Sequence, residues 1–78
     1  MPTVLRIEGF RFYFFSNERQ EPPHVHIRRA DGIAKVWLRP VRFASSNGFS
    51  RTELRRIREL TFEHQVFLVE RWNEYFGR

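Results

Sequence analysis

The segment from His24 to Leu38 alternates apolar and polar side chains on both sides of an Asp31-Gly32 pair. Alternation with a period of two is typical of a strand with one buried face, and Asp-Gly is typical of a two-residue hairpin turn. The segment therefore predicts a β-hairpin. The hairpin is bounded by Pro22-Pro23 and by Pro40, because proline has no N–H to donate to a neighbouring strand.

A turn at Asp31-Gly32 also predicts which residues of the hairpin lie opposite each other. It pairs Ala30 with Ile33, Arg28 with Lys35, His26 with Trp37 and His24 with Arg39. Residues opposite each other share a face, so one face is apolar (Val25, Ile27, Ala34, Val36 and Leu38) and the other is basic (His24, His26, Arg28, Lys35, Trp37 and Arg39). Because a slip of one residue would mix the two sets, we expect His26 and Val36 on opposite faces.

The flanking segments predict a second hairpin and a helical end. Val4–Ile7 and Phe10–Phe15 are strand-like runs around a turn at Glu8-Gly9. Val41–Ala44 is a candidate for a final short strand, and we expect Ser45–Gly48 to form a loop. Ser50 and Glu53 have the spacing of a capping box, which opens a helix. The helical spacing of apolar residues that follows fits one helix of about 26 residues, or a pair kinked near Thr61-Phe62.

These elements predict an α+β fold in a single domain over residues 1–78. We expect a small antiparallel sheet of about four strands in two hairpins, followed by a C-terminal helix or kinked helix pair packed on one face. The chain has no cysteine, which excludes disulfides, cysteine-zinc sites and thiol catalysis. It has no apolar run of the roughly 20 residues that a membrane span needs and no secretory signal, so we expect a cytoplasmic protein.

The charge of the chain favours a polyanionic partner. It has 14 basic and 9 acidic residues, for a formal net charge of +5, and Lys35 is its only lysine. The arginine guanidinium donates two parallel hydrogen bonds to a phosphate. Arg51, Arg55 and Arg58 form a second basic stripe on the predicted helix, for which a solvated helix face is the alternative interpretation.

The basic hairpin face is the strongest candidate site. His24, His26 and Lys35 are the candidate catalytic residues, because imidazole transfers protons near neutral pH and a cation stabilises a phosphorane. Arg28 and Arg39 are candidate phosphate ligands, and Trp37 and Tyr13 are candidates for stacking on a base. The alternative is structural: these rings pack together as an aromatic cluster.

A metal site is a further interpretation of the same face. His24 and His26 project to the same side of a strand, so two imidazoles are available to one divalent ion. Two ligands do not complete a metal site, and neither Glu21 nor His64 has the sequence spacing of a third ligand. The nearby Arg28 and Lys35 would also repel a cation. We therefore expect no metal and no other cofactor, and keep a histidine-ligated metal enzyme as the last alternative.

Several segments resemble domain-of-unknown-function family 4160. They are Pro2–Ile7, FRFYFFSNE from Phe10 to Glu18, EPPHVHI from Glu21 to Ile27, Ala34–Leu38, Gly48–Ser50 and Trp72–Phe76. The resemblance runs from Pro2 to Gly77, and EPPHVHI is its most specific piece. It implies a small α+β bacterial protein, often encoded beside another short protein in an arrangement suggestive of a toxin–antitoxin system. The family has no established activity, so no functional residue is transferred.

Three functions remain open at this point. The first is a toxin–antitoxin-type component that acts on RNA or the translation machinery through the basic face. The second is a non-enzymatic module that binds a small neighbour-encoded protein or nucleic acid, and the third is the metal enzyme. Whether the chain is an enzyme stays open. The modest core and high aromatic content predict a homodimer or a small partner protein.

Overall fold

Five strands and two helices make up the computed structural model, which describes residues 3–77; Pro2, where the resemblance begins, lies outside them. The elements are β1 (Thr3–Ile7), β2 (Phe10–Tyr13), β3 (His24–Arg29), β4 (Gly32–Leu38), β5 (Val41–Asn47), α1 (Arg51–Glu63) and α2 (Gln65–Phe76). Each strand pairs antiparallel with the next, in the order β1-β2-β3-β4-β5. The α+β prediction is confirmed.

The sheet has five strands where about four were expected. β5 pairs with β4 from Val41 opposite Leu38 to Asn47 opposite Ile33. Val41 and Phe43 pack against the core from this strand, which explains why the segment continues the sheet. The polar second half of β5 made its length hard to predict, because Ser45, Ser46 and Asn47 are also typical of a loop.

The predicted turn at Asp31-Gly32 was wrong by one position. Arg29 pairs with Gly32, so Ala30 and Asp31 form the turn, and each predicted cross-strand partner is displaced by two residues. Gly32 pairs within the strand, where the ring of Phe49 occupies the space that a Cβ would need. The positive φ of the turn falls instead on Ala30, at 53°.

The two faces of the hairpin are nevertheless those expected. A displacement of two residues preserves the alternation, so His26 lies opposite Lys35 and Val25 lies opposite Val36. The prediction that His26 and Val36 are on opposite faces is confirmed. Arg39, expected opposite His24, instead lies in the turn that follows β4, and Trp37 takes its place beside His24.

Both helices cover the apolar face of the sheet. The core contains buried side chains from the strands, from the end of β2 and from both helices: Phe10, Phe12, Phe14, Val25, Ile27, Val36, Leu38, Ile57, Leu60, Leu68, Trp72 and Phe76. This leaves the opposite side of the sheet without a covering layer of helices.

The helical segment is a pair that breaks at His64. The capping box is confirmed, since the Glu53 N–H donates to Ser50 Oγ at 3.1 Å and the Ser50 N–H donates to Glu53 Oε1 at 2.8 Å. α1 ends at Glu63, and His64 has φ −105° and ψ 18°. Gln65 Nε2 then donates to the Leu38 carbonyl at 2.6 Å, which attaches the start of α2 to the end of β4. Neither helix within residues 3–77 is long and apolar enough to cross a membrane.

Candidate functional site

The sheet surface opposite the helices, called the open face below, carries three rows of directly paired side chains. The first row is Arg6, Arg11, Arg28, Ile33 and Asn47; the second is Thr3, Tyr13, His26, Lys35 and Ser45; the third is His24, Trp37 and Arg42. Four arginines and a lysine stand in these rows, and no carboxylate does. The basic side chains of these rows are up to 36 residues apart in sequence, from Arg6 to Arg42, and the sheet brings them into one surface.

Most of the excess positive charge of the chain lies in the half that forms the sheet. Residues 1–50 have eight basic and four acidic side chains, whereas residues 51–78 have six basic and five acidic ones. Arg6, Arg28 and Arg42 are exposed, and none of the three has an ion pair among residues 3–77. Their guanidinium groups are therefore available to an external anion.

Aromatic rings lie among these cations. The Arg11 guanidinium carbon lies 4.7 Å from the centre of the Tyr13 ring, and Lys35 Nζ lies 4.8 Å from the ring centre of Trp37. A shallow depression of about 330 Å³ lies beside them. It is lined by Tyr13, Phe15, His26, Ile33, Ala34, Lys35, Ser45, Ser46 and Asn47. The open face thus combines cations with apolar surface.

Two histidines and a loop carboxylate meet at one end of the open face. His24 and His26 are alternate residues of β3, and the Nε2 atom of each lies 2.7 Å from Glu18 Oε1. The His24 side chain is buried, while 13% of the His26 side chain and 21% of the Glu18 side chain are exposed. Sequence reasoning missed Glu18, which belongs to the β2–β3 loop and follows no strand or helix periodicity.

The surroundings of His24 hold its ring in one orientation. Its Nδ1–H donates to the Pro22 carbonyl at 2.9 Å, and its ring centre lies 5.4 Å from that of Trp37 and 4.9 Å from that of Trp72. Trp72 belongs to α2, so His24 lies at the end of the open face, where its buried ring also contacts the helix layer. Of the two histidines, His26 is the one that solvent reaches.

The pKa values of this cluster follow from burial and from its contacts. Burial opposes ionisation of Glu18, but the hydrogen bonds from His24 and His26 outweigh it and hold the pKa of the Glu18 carboxyl below its usual range. Burial lowers the pKa of His26, and the nearby His24 and Lys35 lower it further against the opposing effect of Glu18. At neutral pH the arrangement therefore favours an ionised Glu18 beside a neutral His26.

Lys35, the third candidate catalytic residue, also has a carboxylate partner. Its Nζ lies 2.6 Å from Glu21 Oε1, and the same oxygen lies 3.9 Å from His24 Nδ1. The β2–β3 loop thus supplies one carboxylate to the histidine pair and another to the lysine.

The structure brings most of the sequence-predicted site residues together. His24, His26, Lys35, Trp37 and Tyr13 are neighbours, and Arg28 stands in the adjacent row. Arg39 does not join the rows. The two histidines and the lysine all contact carboxylates of the same chain.

Residues 9–73 match a family model described as Domain of unknown function (DUF4160). The matched segment includes the Glu18, His24 and His26 cluster, and it is shorter than the resemblance from Pro2 to Gly77. No curated protein and no solved structure is similar enough to the chain to count as a match.

Proposed function

This chain belongs to the DUF4160 family, and we propose that it is a small RNA-binding protein that contacts the phosphate backbone through its open face. The observation that carries the proposal is the row of Arg6, Arg11 and Arg28 at directly paired positions of three neighbouring strands.

Like charges directly opposite each other destabilise an antiparallel sheet. Arg11 is partly accommodated within the chain, because its Nε donates to Thr3 Oγ1 at 2.8 Å and its guanidinium lies over Tyr13. Arg6 and Arg28 have no such partner among the described residues. A phosphodiester backbone offsets this repulsion, because each phosphate accepts the paired hydrogen bonds of a guanidinium.

The shape of the open face favours a single strand over a duplex. A sheet surface with partly exposed rings offers stacking positions to unpaired bases, and Trp37 and Phe15 are each partly exposed beside the cations. Arg42 extends the basic surface beyond Trp37 in the third row. A segment of single-stranded RNA that crosses the rows therefore meets arginine at both ends and aromatic rings between them.

A catalytic form of the proposal assigns a proton transfer to His26. In it, His26 accepts the proton of a ribose 2′-hydroxyl as the 2′-oxygen bonds to the adjacent phosphorus, and Lys35 and Arg28 contact the phosphate. The bond from phosphorus to the 5′-oxygen breaks, which leaves a 2′,3′-cyclic phosphate, and the departing 5′-oxygen takes its proton from water. His24 is enclosed, so it positions Glu18 and does not touch the RNA. This form corresponds to the toxin–antitoxin role that the resemblance implies, in a bacterial cytoplasm and beside a neighbour-encoded protein.

RNA binding is tested by fluorescence anisotropy with a labelled single-stranded RNA of mixed sequence. We expect Arg28→Ala to weaken binding about 3–10-fold and to lower the slope of log affinity against log salt by about one. The matched control is Arg58→Ala, an exposed arginine of α1, which is expected to bind like wild type. No binding by wild type at low salt, or an equal loss in both variants, would refute the proposal.

The toxin role is tested by growth after induced expression in a bacterial host. Arrest by wild type that both His26→Ala and Lys35→Ala relieve, at equal soluble levels, supports a toxin that acts through the open face. Normal growth at good expression contradicts an autonomous toxin and leaves an RNA-binding protein without toxicity of its own.

A second candidate function, a protein-interaction module, rests on the outer side of the helices. Phe62 and Val66 flank the helix break, with 69% and 70% of their surfaces exposed. They are accompanied by Pro40, Val41 and Arg58 around a hollow next to Phe62. Exposed apolar groups of this size are typical of an interface. We expect light scattering to show a wild-type dimer and a Phe62→Ser monomer; a monomeric wild type would contradict the dimer.

A further inference from the structure

We propose that Glu18, His24 and His26 bind a divalent first-row transition-metal ion such as Zn²⁺. The ligand atoms are Glu18 Oε1 and the two histidine Nε2 atoms, and all of them lie within 4.8 Å of one another. Ligand atoms around one zinc ion are about 3–3.5 Å apart at the usual bond lengths of about 2.0–2.2 Å. Small side-chain rotations are therefore enough to accommodate an ion among the three atoms.

The hydrogen bond at the far side of His24 supports this assignment. Because the Pro22 carbonyl only accepts, Nδ1 of His24 carries a proton, and Nε2 is the ring nitrogen that faces Glu18 Oε1 at 2.7 Å. The position between Nε2 and the carboxylate oxygen can hold either a proton or a metal ion. Metal-binding histidines typically donate their other N–H to a carbonyl or carboxylate in this way.

The supports of the cluster are rigid. Pro22 and Pro23 restrict the loop that carries the carbonyl, and the Leu38 N–H donates to the Pro23 carbonyl at 3.0 Å, which ties the loop to the end of β4. The His26 ring stacks on Tyr13 with ring centres 5.6 Å apart and meets the edge of Phe15 at 4.4 Å. Both imidazoles are thus held close to the orientation that an ion needs, and only small rotations remain.

The local charge balance also suits a cation. The charge of Lys35, the only lysine in the sequence, is compensated by Glu21, whose Oε1 lies 2.6 Å from Lys35 Nζ. Arg28 stands one row away and is exposed to solvent. Glu18 adds a second carboxylate at the site. The repulsion that argued against a metal from the sequence is therefore offset by two glutamates of the β2–β3 loop.

Two imidazoles and one carboxylate are the donor types that zinc and related ions prefer. The partly exposed side of Glu18 and His26 leaves room for a water molecule as a further ligand. This inference does not depend on RNA binding. It revises the expectation of no metal, which was based on two histidines without the third ligand.

The test is isothermal titration of the full chain with Zn²⁺ after removal of bound metal by a chelator. We expect one Zn²⁺ per chain, and a visible absorption spectrum when Co²⁺ is substituted. Glu18→Gln keeps the size and one acceptor oxygen of the side chain but removes the carboxylate, and is expected to weaken Zn²⁺ binding about 100-fold. His64→Gln is the matched control, because His64 lies at the helix break, and it should bind like wild type.

Failure of wild type to bind, an unchanged affinity in Glu18→Gln, or loss of binding in His64→Gln would each overturn the proposal. A measurement on wild type keeps the test valid if Glu18→Gln does not fold. Imidazole nitrogen chemical shifts should move for His24 and His26 on addition of Zn²⁺ and stay in place for His64, and the reverse pattern would exclude the site.

Discussion

Arg28 and Arg29 are consecutive residues of β3 with opposite roles. Arg29 faces the helix side, where its guanidinium donates to Glu53 Oε2 at 2.7 Å and to the Glu8 carbonyl at 2.9 Å, and lies 3.9 Å from the ring centre of Phe10. Arg28 faces the open side and has no ion pair or hydrogen bond through its side chain within residues 3–77. The charge of Arg29 joins the sheet to α1, and the charge of Arg28 is exposed to solvent.

The contrast shows that net charge alone is a poor guide to function. On the helix side, Arg29 and Arg56 form ion pairs within the chain, with Glu53 and Glu8. The RNA-binding proposal rests instead on the position of exposed cations in one row of the sheet, which composition does not reveal.

The largest expected difference between the two arginines is in stability. We expect Arg29→Ala to lower the free energy of unfolding by about 1–2 kcal/mol, because two hydrogen bonds and a cation–π contact are lost at a partly exposed site. Arg28→Ala is expected to change it by less than about 0.5 kcal/mol. Urea denaturation of both variants measures the difference, and equal effects would remove the distinction between the two faces.

The acid sensitivity of the fold should also separate the two arginines. The pKa of Glu53 is lowered first by the Ser50 backbone N–H and then by Arg29. A lowered pKa in the folded state gives stability that is present above the ordinary glutamate value of about 4.3 and is lost as pH falls through the folded-state value.

We therefore expect the free energy of unfolding to fall less in Arg29→Ala than in wild type when the pH is lowered from about 5 to about 3. This is roughly the range in which carboxyl groups titrate. Arg28→Ala should keep the wild-type pH dependence. Urea midpoints across this range provide the measurement, and identical profiles for all three proteins would show that the contact between Arg29 and Glu53 does not contribute.

The smallest expected effect is a gain in folding stability, where the preceding predictions concern losses. Arg28→Gln removes a positive charge directly opposite Arg11, so we expect it to stabilise the sheet by about 0.2–0.5 kcal/mol at low ionic strength. Salt should abolish the gain, because exposed charges are screened within about 10 Å at 0.1 M. A destabilised Arg28→Gln at low salt would mean that Arg28 serves the fold.

Much of the site could be predicted because successive side chains of a strand alternate between the two faces of the sheet. The basic face of β3 and β4 and the capping box at Ser50 both follow from local backbone geometry. Gly32 was misinterpreted as a turn residue because a glycine that makes room for a distant ring has the same sequence signal as one that provides a turn. Only the contact with Phe49 distinguishes the two cases.

Local spacing along the chain specifies which side chains share a face and where the first helix begins, since both depend on residues a few positions apart. Which strand partners meet, where the helices break and how Glu18 reaches His24 and His26 depend on tertiary packing. The physical reason is that the position of a loop carboxylate depends on how the loop packs over two strands. No periodicity in the loop encodes that packing.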